Sequence, residues 1–305
     1  MNKSVKKIKY RIEYLATLFL SYLARMLPYR FCLILSDVLG DIFFYVIRMR
    51  RDVSLDNLKK SFPEKSPAEI KRICRGAYRN FAKTFIDFAR FPSFKKKKIF
   101  NVVNFHNTDL IDKALAGGRG VILLAGHFGS WELIGAALAH KGYPLSFLVG
   151  EQHNYLVDNL MNKYRRMHNI GIIKMGVAAR GVIKVLKNNE CVAFLSDQDA
   201  GKDGVIVNFF GRKASTPGGA GAFSYKLQSP IIMVFPIRNK KGKIDLYLEK
   251  VDLSGLPDDK DTAIYEITQR YTSLLESYIR KFPDHWFWMH RRWKSVEDKS
   301  CPCIQ

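Results

Sequence analysis

Two rhythms of hydrophobic and polar residues divide the chain. From about residue 50 to 90 the apolar positions recur at three- and four-residue spacing, as in Val53-Ser-Leu-Asp-Asn-Leu58 and the longer pattern from Ala68 to Phe81. This predicts helices broken at Pro63 and Pro67. Beyond the run Lys95-Lys-Lys-Lys98, short apolar stretches take over: 102–106, 120–125, 145–149, 172–175, 191–195, 205–210, 231–238 and 244–251 read as strands. Helical spacing returns between several of them, near 130–140, 155–168, 178–187 and 217–228, and again at 260–281. Strands alternating with helices predict an α/β fold, a mostly parallel sheet flanked by helices.

Two more continuous apolar segments open the chain, Tyr14 to Ala24 and Phe31 to Ile47. The second is interrupted by Asp37 and Asp41 and closed by Arg48-Met-Arg-Arg51. Neither reaches the roughly 20 uninterrupted apolar residues of a membrane-crossing helix. Residues 1–30 hold seven basic side chains and a single acidic one, Glu13. An apolar, aromatic-rich helix with basic flanks predicts a segment lying in an anionic membrane interface, although core helices of a soluble bundle share the pattern. No small-residue cleavage site follows the apolar run, so the segment reads as retained. The expected division is 1–50 as N-terminal membrane-associating helices and 51–305 as one α/β domain.

Charge sharpens this picture. A net charge of +22, from 50 Lys and Arg against 28 Asp and Glu, calls for an anionic partner: nucleic acid, a membrane surface, a phosphorylated substrate or an acidic carrier protein. Zinc-finger spacing, RNP-like aromatics and a basic heptad region are all missing, so nucleic acid is not expected, and Lys95 to Lys98 reads as a solvated face. The five cysteines, Cys32, Cys74, Cys191, Cys301 and Cys303, are odd in number and mostly isolated, which suggests reduced thiols. The C-terminal Cys-Pro-Cys-Ile-Gln is no prenylation box, because Pro302 stands fourth from the end. No His-Glu-x-x-His pair, Gly-x-Ser-x-Gly elbow or Cys-x-x-Cys occurs, which removes zinc-protease, serine-hydrolase and thioredoxin-like chemistry.

The strongest chemical signal is Gly126-His-Phe-Gly-Ser-Trp-Glu132, directly after the apolar run 120–125. It reads as strand, tight loop and Ser130-capped helix, with a histidine at the carboxyl end of the strand, where open α/β sheets hold their sites. Five residues on one helix turn by about 140°, so His127 and Glu132 cannot cooperate if both are helical. With Ser130 as the cap, His127 lies in the loop and can fold back onto Glu132 in the first turn. A carboxylate on one ring nitrogen raises the basicity of the other, making His127 a general base toward a hydroxyl. Gly126 and Gly129 leave room for a carbonyl and offer N–H groups to an oxyanion. Gly129 and Trp131 are the loop's expected substrate-binding positions. The alternative is a buried histidine satisfied by a neighbouring carbonyl.

Three further stretches look chemical. The segment 154–171 places Asp158, Lys163, Arg165 and Arg166 on a helix after a strand, where a guanidinium can clamp a phosphate or pantetheine phosphodiester, or simply face solvent. Ser196-Asp-Gln-Asp-Ala-Gly-Lys-Asp-Gly204 suits a site loop or a plain turn. As a calcium loop counted from Asp197 it has Asn208 where a glutamate is needed. In the stretch 209–223, Thr216 is a good N-cap and Pro217 a good first helical residue.

Together, His127 with Glu132, Asp197-Gln-Asp199, Phe209-Phe-Gly-Arg212, Asn57-Leu58 with Phe62-Pro63, and His285-Trp-Phe-Trp-Met-His-Arg-Arg-Trp-Lys294 resemble the lipid A biosynthesis acyltransferase family, over nearly the whole chain. The resemblance implies a glycerolipid-acyltransferase-like α/β fold at the cytoplasmic face of the bacterial inner membrane. It implies transfer of a fatty acyl group from acyl carrier protein or acyl-CoA to a hydroxyl of a lipid A precursor, an anionic glycolipid. His127 would be the general base and Glu132 its partner, Arg165 or Arg166 the substrate-binding arginine, and Asp199, or less directly Asp197, the acidic residue of the later loop. No metal and no cofactor beyond the donor are implied. The terminal tryptophans Trp286, Trp288 and Trp293 are expected either to shield the site at the membrane interface or to build core. Other lysolipid or phosphatidylinositol mannoside acceptors, and a non-enzymatic basic membrane- or nucleic-acid-binding protein, are the alternatives.

Overall fold

The computed structural model describes residues 3–300. Cys301, Cys303 and the terminal Cys-Pro-Cys-Ile-Gln lie outside the described residues. Four helices come first: α1 (Lys3–Met26), α2 (Tyr29–Ile42), α3 (Arg51–Ser61) and α4 (Pro67–Ala89). Ser66 starts α4 with a reciprocal capping box, its hydroxyl and backbone exchanging hydrogen bonds with Glu69, and Pro67 occupies the first turn, where its missing N–H costs nothing. Then follow α5 (Lys96–Val102), β1 (Val103–Phe105), α6 (Asp109–Leu115), β2 (Val121–Ala125), α7 (Trp131–Lys141), β3 (Leu145–Val149) and α8 (Tyr155–Arg166). The remainder is β4 (Ile170–Lys174), α9 (Ala178–Lys187), β5 (Cys191–Leu195), β6 (Val205–Phe209), β7 (Arg212–Thr216), α10 (Gly219–Leu227), β8 (Ile231–Arg238), β9 (Ile244–Lys250), α11 (Lys260–Lys281) and α12 (Lys294–Ser300).

Seven strands form one sheet in the order β1-β9-β8-β2-β5-β3-β4, parallel throughout except between β8 and β9. The expected mostly parallel sheet flanked by helices is therefore present. Its middle strands read as unbroken apolar runs because both faces are covered. Ile122, Leu124, Val192 and Phe194 pack on one side with α9, α10, α11 and the terminal tryptophans, while Val121, Leu123 and Cys191 pack on the other with α7 and α8.

Some local expectations give way. Helix α10 starts at Gly219, and Thr216, expected to cap it, ends β7 instead. That strand pairs only with β6, in an antiparallel hairpin outside the main sheet whose turn is Phe210-Gly211, both at positive φ.

At the N-terminus, the two aspartates that interrupt the second apolar segment anchor α2 to α4. Asp41 accepts paired bonds from Arg75 and Arg79, which hold its carboxyl well below the usual range, and Asp37 meets Lys83 at 2.7 Å. Helix α1 crosses α4 and α8 through Ser21, whose hydroxyl reaches the Ala89 carbonyl and the Tyr164 hydroxyl. Its other face leaves Ile8, Ile12, Leu15, Phe19 and Leu23 exposed. Among the described residues no helix is long and apolar enough to cross a membrane.

Candidate active site

The strand order decides what meets His127. β2 and β5 are parallel neighbours with Ala125 opposite Leu195, so the two strands leave the sheet side by side, and two residues further on His127 faces Asp197. Asp197 Oδ1 lies 2.8 Å from His127 Nδ1, and Asp197 Oδ2 accepts the His127 backbone N–H at 2.7 Å and the Trp286 indole N–H at 2.8 Å. The carboxylate is almost fully buried. Gly126 is needed beside it, since a Cβ there would crowd Asp197 Oδ2 at 3.2 Å.

Burial opposes a charge on His127, but the adjacent Asp197 carboxylate, with help from Glu132, more than offsets this and raises the imidazole above its ordinary value. Burial likewise opposes ionisation of Asp197, and the His127 contacts and the Trp286 bond outweigh it, holding the carboxyl below its ordinary value. With Nδ1–H committed to Asp197, Nε2 carries the lone pair, and the side-chain amide of Gln198 stands 3.4 Å from it. The edge of Trp131 packs on the imidazole at 5.0 Å between centroids, and about a fifth of the histidine side chain remains accessible.

Glu132 is not the hydrogen-bonding partner expected for His127. From the first turn of α7 its carboxylate meets Arg165 on α8, with Nε 3.1 Å from Oε2 and the Nη2 contact to Oε1 at 2.5 Å. A planar guanidinium matches a carboxylate in this two-pronged way, and both side chains are at most a tenth exposed. Arg165 Nη1 continues to Asn162, whose amide reaches Asp158. Arg165 is thus buried structure at the edge of the site, whereas Arg166 is exposed. Asp199 is also drawn elsewhere: its carboxylate accepts the Ser295 hydroxyl at 2.5 Å and its N–H donates to His290 Nε2 at 3.0 Å.

Of the two loop N–H groups expected to serve an oxyanion, those of Gly126 and Gly129, the second is engaged, and so is that of Phe128 between them. Phe128 N–H donates to the Gly126 carbonyl and Gly129 N–H to the His285 carbonyl, both short bonds of 2.7 and 2.8 Å. Gly129 has φ +54°, and a Cβ there would stand 2.1 Å from the Pro236 carbonyl oxygen, so this residue makes the turn and the close approach to β8 together. Ser130 precedes α7 without capping it. Its hydroxyl donates to Asp87 on α4 at 2.5 Å, within a buried cluster completed by Tyr29 and Arg238. Thr84 holds the Gly129 carbonyl at 2.9 Å from the same helix.

The terminal aromatic segment is core rather than interface. Trp286, Trp288 and Trp293 are 1–2% exposed. Phe287 N–H donates to the His127 carbonyl and Trp286 bridges to Phe128, so the segment lies alongside the His127 loop. Asn57 on α3 fixes it by donating to the carbonyls of Trp288 and His290 at 2.9 and 2.8 Å. Asp87 and Arg238 carried no signal in the sequence, and Asn57, Gln198 and Trp286 stood out only as parts of family-like motifs, because their contacts are with partners 40 to over 200 positions away. Cys32, Cys74 and Cys191 are buried free thiols, with Cys74 and Cys191 pushed up to about 12 by burial.

Among the described residues the imidazole is hydrogen-bonded to Asp197 and Gln198 and to no serine, threonine or cysteine, an arrangement suited to activating a hydroxyl supplied by a substrate. Comparison with known proteins agrees with such chemistry. The family model described as bacterial lipid A biosynthesis acyltransferase matches residues 1–295. The chain is 24% identical over 274 residues to a lipid A biosynthesis palmitoleoyltransferase of Escherichia coli K12, covering 88% of this chain and 87% of the relative. It is 24% identical over 277 residues to a lipid A biosynthesis lauroyltransferase of the same organism, covering 90% and 89%. A phosphatidylinositol mannoside acyltransferase of Mycolicibacterium smegmatis is 20% identical over 235 residues, covering 75% of each.

Proposed function

The chain belongs to the bacterial lipid A biosynthesis acyltransferase family and is an O-acyltransferase, and from this premise we propose that it moves a fatty acyl group from an acyl thioester, on acyl carrier protein or coenzyme A, to a hydroxyl of a lipid A precursor. The observation that carries the mechanism is the His127–Asp197 pair, which leaves the Nε2 lone pair facing, among hydrogen-bond partners in the described residues, only the long 3.4 Å contact of the Gln198 amide. Nε2 takes the proton of the acceptor hydroxyl as its oxygen attacks the thioester carbonyl carbon. The C–O bond forms, the carbonyl becomes an oxyanion, and collapse breaks the C–S bond. The departing thiolate receives the proton from His127. Asp197 keeps the ring in the Nδ1–H tautomer and stabilises the imidazolium between the two transfers. The Gln198 amide, the side-chain donor beside Nε2, stabilises the oxyanion.

Glu132 acts through Arg165, fixing α7 against α8, and through its charge on the imidazole rather than by direct bonding. The chemistry as written requires no metal and no further cofactor. The exposed apolar face of α1, on a protein of net charge +22, supports residence on an anionic membrane surface, the cytoplasmic face of the inner membrane. The same positive charge supports steering of an acidic carrier protein. A second acceptor class, phosphatidylinositol mannosides, is favoured by the mycobacterial relative.

The test is acyl transfer by purified protein from labelled acyl carrier protein and acyl-CoA to lipid A precursors and mannosides. Transfer to a lipid A precursor that disappears in His127→Ala supports the reading. Transfer to mannosides alone replaces the acceptor, and full activity in His127→Ala removes the mechanism.

A further inference from the structure

From the catalytic imidazole a series of ring contacts leads outward. The His127 and Phe287 ring centroids are 6.1 Å apart, Phe287 and Phe81 are 4.7 Å apart, and Phe81 and Phe85 are 6.0 Å apart. Phe81 and Phe85 stand one turn apart on a single face of α4. None of the three phenylalanines is fully buried, and the series ends at Phe85, which is 65% exposed. Core packing accounts for Ile70, Ile73 and Ala77 of the same helix, and its earlier outward positions Lys71 and Arg72 are charged. Phe287 and Phe81 rest partly on that core and stay half-covered, but core packing does not account for Phe85, the exposed end of a lane of rings that starts beside the His127 imidazole. Apolar surface of this kind, left in water beside a site, marks a ligand position.

We propose that this lane holds the hydrocarbon chain of the thioester donor, with the carbonyl carbon at His127 and the chain running over Phe287 and Phe81 toward Phe85. The inference rests on the acyl-transfer reading above. A single file of rings suits one extended chain, and that chain has to begin where the acceptor hydroxyl is deprotonated. Aromatic faces bury methylenes without demanding hydrogen bonds, so selectivity is set by how many rings the chain reaches. Phe85 is then a length-determining residue, engaged by long donors and left uncovered by short ones.

The experiment is kcat/KM for a series of saturated thioesters, octanoyl to hexadecanoyl, with wild type, Phe81→Ala and Phe85→Ala. The expected result is a loss of roughly tenfold for hexadecanoyl donors in Phe85→Ala, from the methylenes no longer covered, and a much smaller loss for octanoyl donors. In Phe81→Ala the loss extends to shorter donors. An equal loss at every donor length overturns the proposal, as does a length dependence that follows the acceptor's chains instead of the donor's. If the wild type transfers nothing, the acyl-transfer reading fails on its own. The lane is then read by binding of hexadecanoyl-CoA, followed by tryptophan fluorescence. Binding weakened about tenfold by Phe85→Ala supports it, and identical binding by both proteins, or none, overturns it.

Discussion

Replacing Asp197 with asparagine isolates what the buried carboxylate does for His127. Three N–H groups converge on Asp197, from the His127 backbone, His127 Nδ1 and Trp286 Nε1, at 2.7, 2.8 and 2.8 Å. An asparagine has one acceptor oxygen and must turn its own NH2 toward at least one of these donors, which leaves a buried group unpaired at a cost of about 1–3 kcal/mol. The tautomer that exposes a basic Nε2 is no longer enforced, so kcat/KM should fall by about 10²- to 10⁴-fold, the range of a positioned general base.

The pH profile separates this from simple loosening. His127 must be neutral to accept a proton, so the acid limb of the wild-type profile follows its pKa, which Asp197 raises above its ordinary value. In Asp197→Asn that charge is gone and burial, which opposes protonation, prevails, so the acid limb moves to lower pH as the plateau drops. Acyl transfer to a lipid acceptor across pH 5 to 9, with thermal melting to show that the variant folds, supplies both readings. Near-wild-type activity, or an acid limb that stays in place, refutes the pairing. A larger displacement in Glu132→Gln than in Asp197→Asn would restore Glu132 as the imidazole's partner.

Further outcomes follow from the same contacts. The charged His127–Asp197 pair contributes stability above the unfolded Asp value of about 3.9, lost as pH falls through the depressed folded value, and below the unfolded His value of about 6.5, lost as pH rises through the raised one. Urea titrations should therefore show its largest contribution between those two values. Arg165→Ala strands the Glu132 carboxylate in the interior and should destabilise by about 3–5 kcal/mol, whereas Arg166→Ala should stay within about 0.5 kcal/mol, both read from denaturation midpoints. Gly129→Ala forces a Cβ onto the Pro236 carbonyl at a residue with positive φ, and should abolish transfer while lowering the melting temperature. Glutamate at Ile12 and Phe19 on the exposed face of α1 should weaken co-sedimentation with anionic vesicles by at least about tenfold.

The sheet strands were legible because their residues are apolar on both faces, as in Val121-Ile-Leu-Leu124 and Ile231 to Val234. β7 was not, because Arg212-Lys-Ala-Ser-Thr216 has no apolar alternation and is held by its hairpin partner. The short helices α5 and α6 were missed for a similar reason: each has only seven residues, and α5 opens with lysines. His127 itself was visible from its place after β2, but its carboxylate was not. Glu132 is near in sequence, while Asp197 is near only because β5 inserts beside β2, and lateral strand order is set by crossovers that leave no local trace. The same limit applied to Arg165. Its residue type and helix were readable, but its engagement by a carboxylate on α7 was not.

The Trp286 bond to Asp197 also bears on when the enzyme comes to life during synthesis. Ribosomes extend chains from the N-terminus, so α1, with its exposed apolar face, emerges well over 200 residues before the segment at His285–Trp288 that seats Asp197 and the His127 loop. At about 5–20 residues per second, that interval lasts tens of seconds. On the proposed membrane residence and mechanism, the chain can therefore settle on a lipid surface while its base is still unbraced. Assembly order would then build in a delay that lets attachment precede chemistry, and the same proposal predicts that a chain broken off before Trp286 occupies the surface without acting on it.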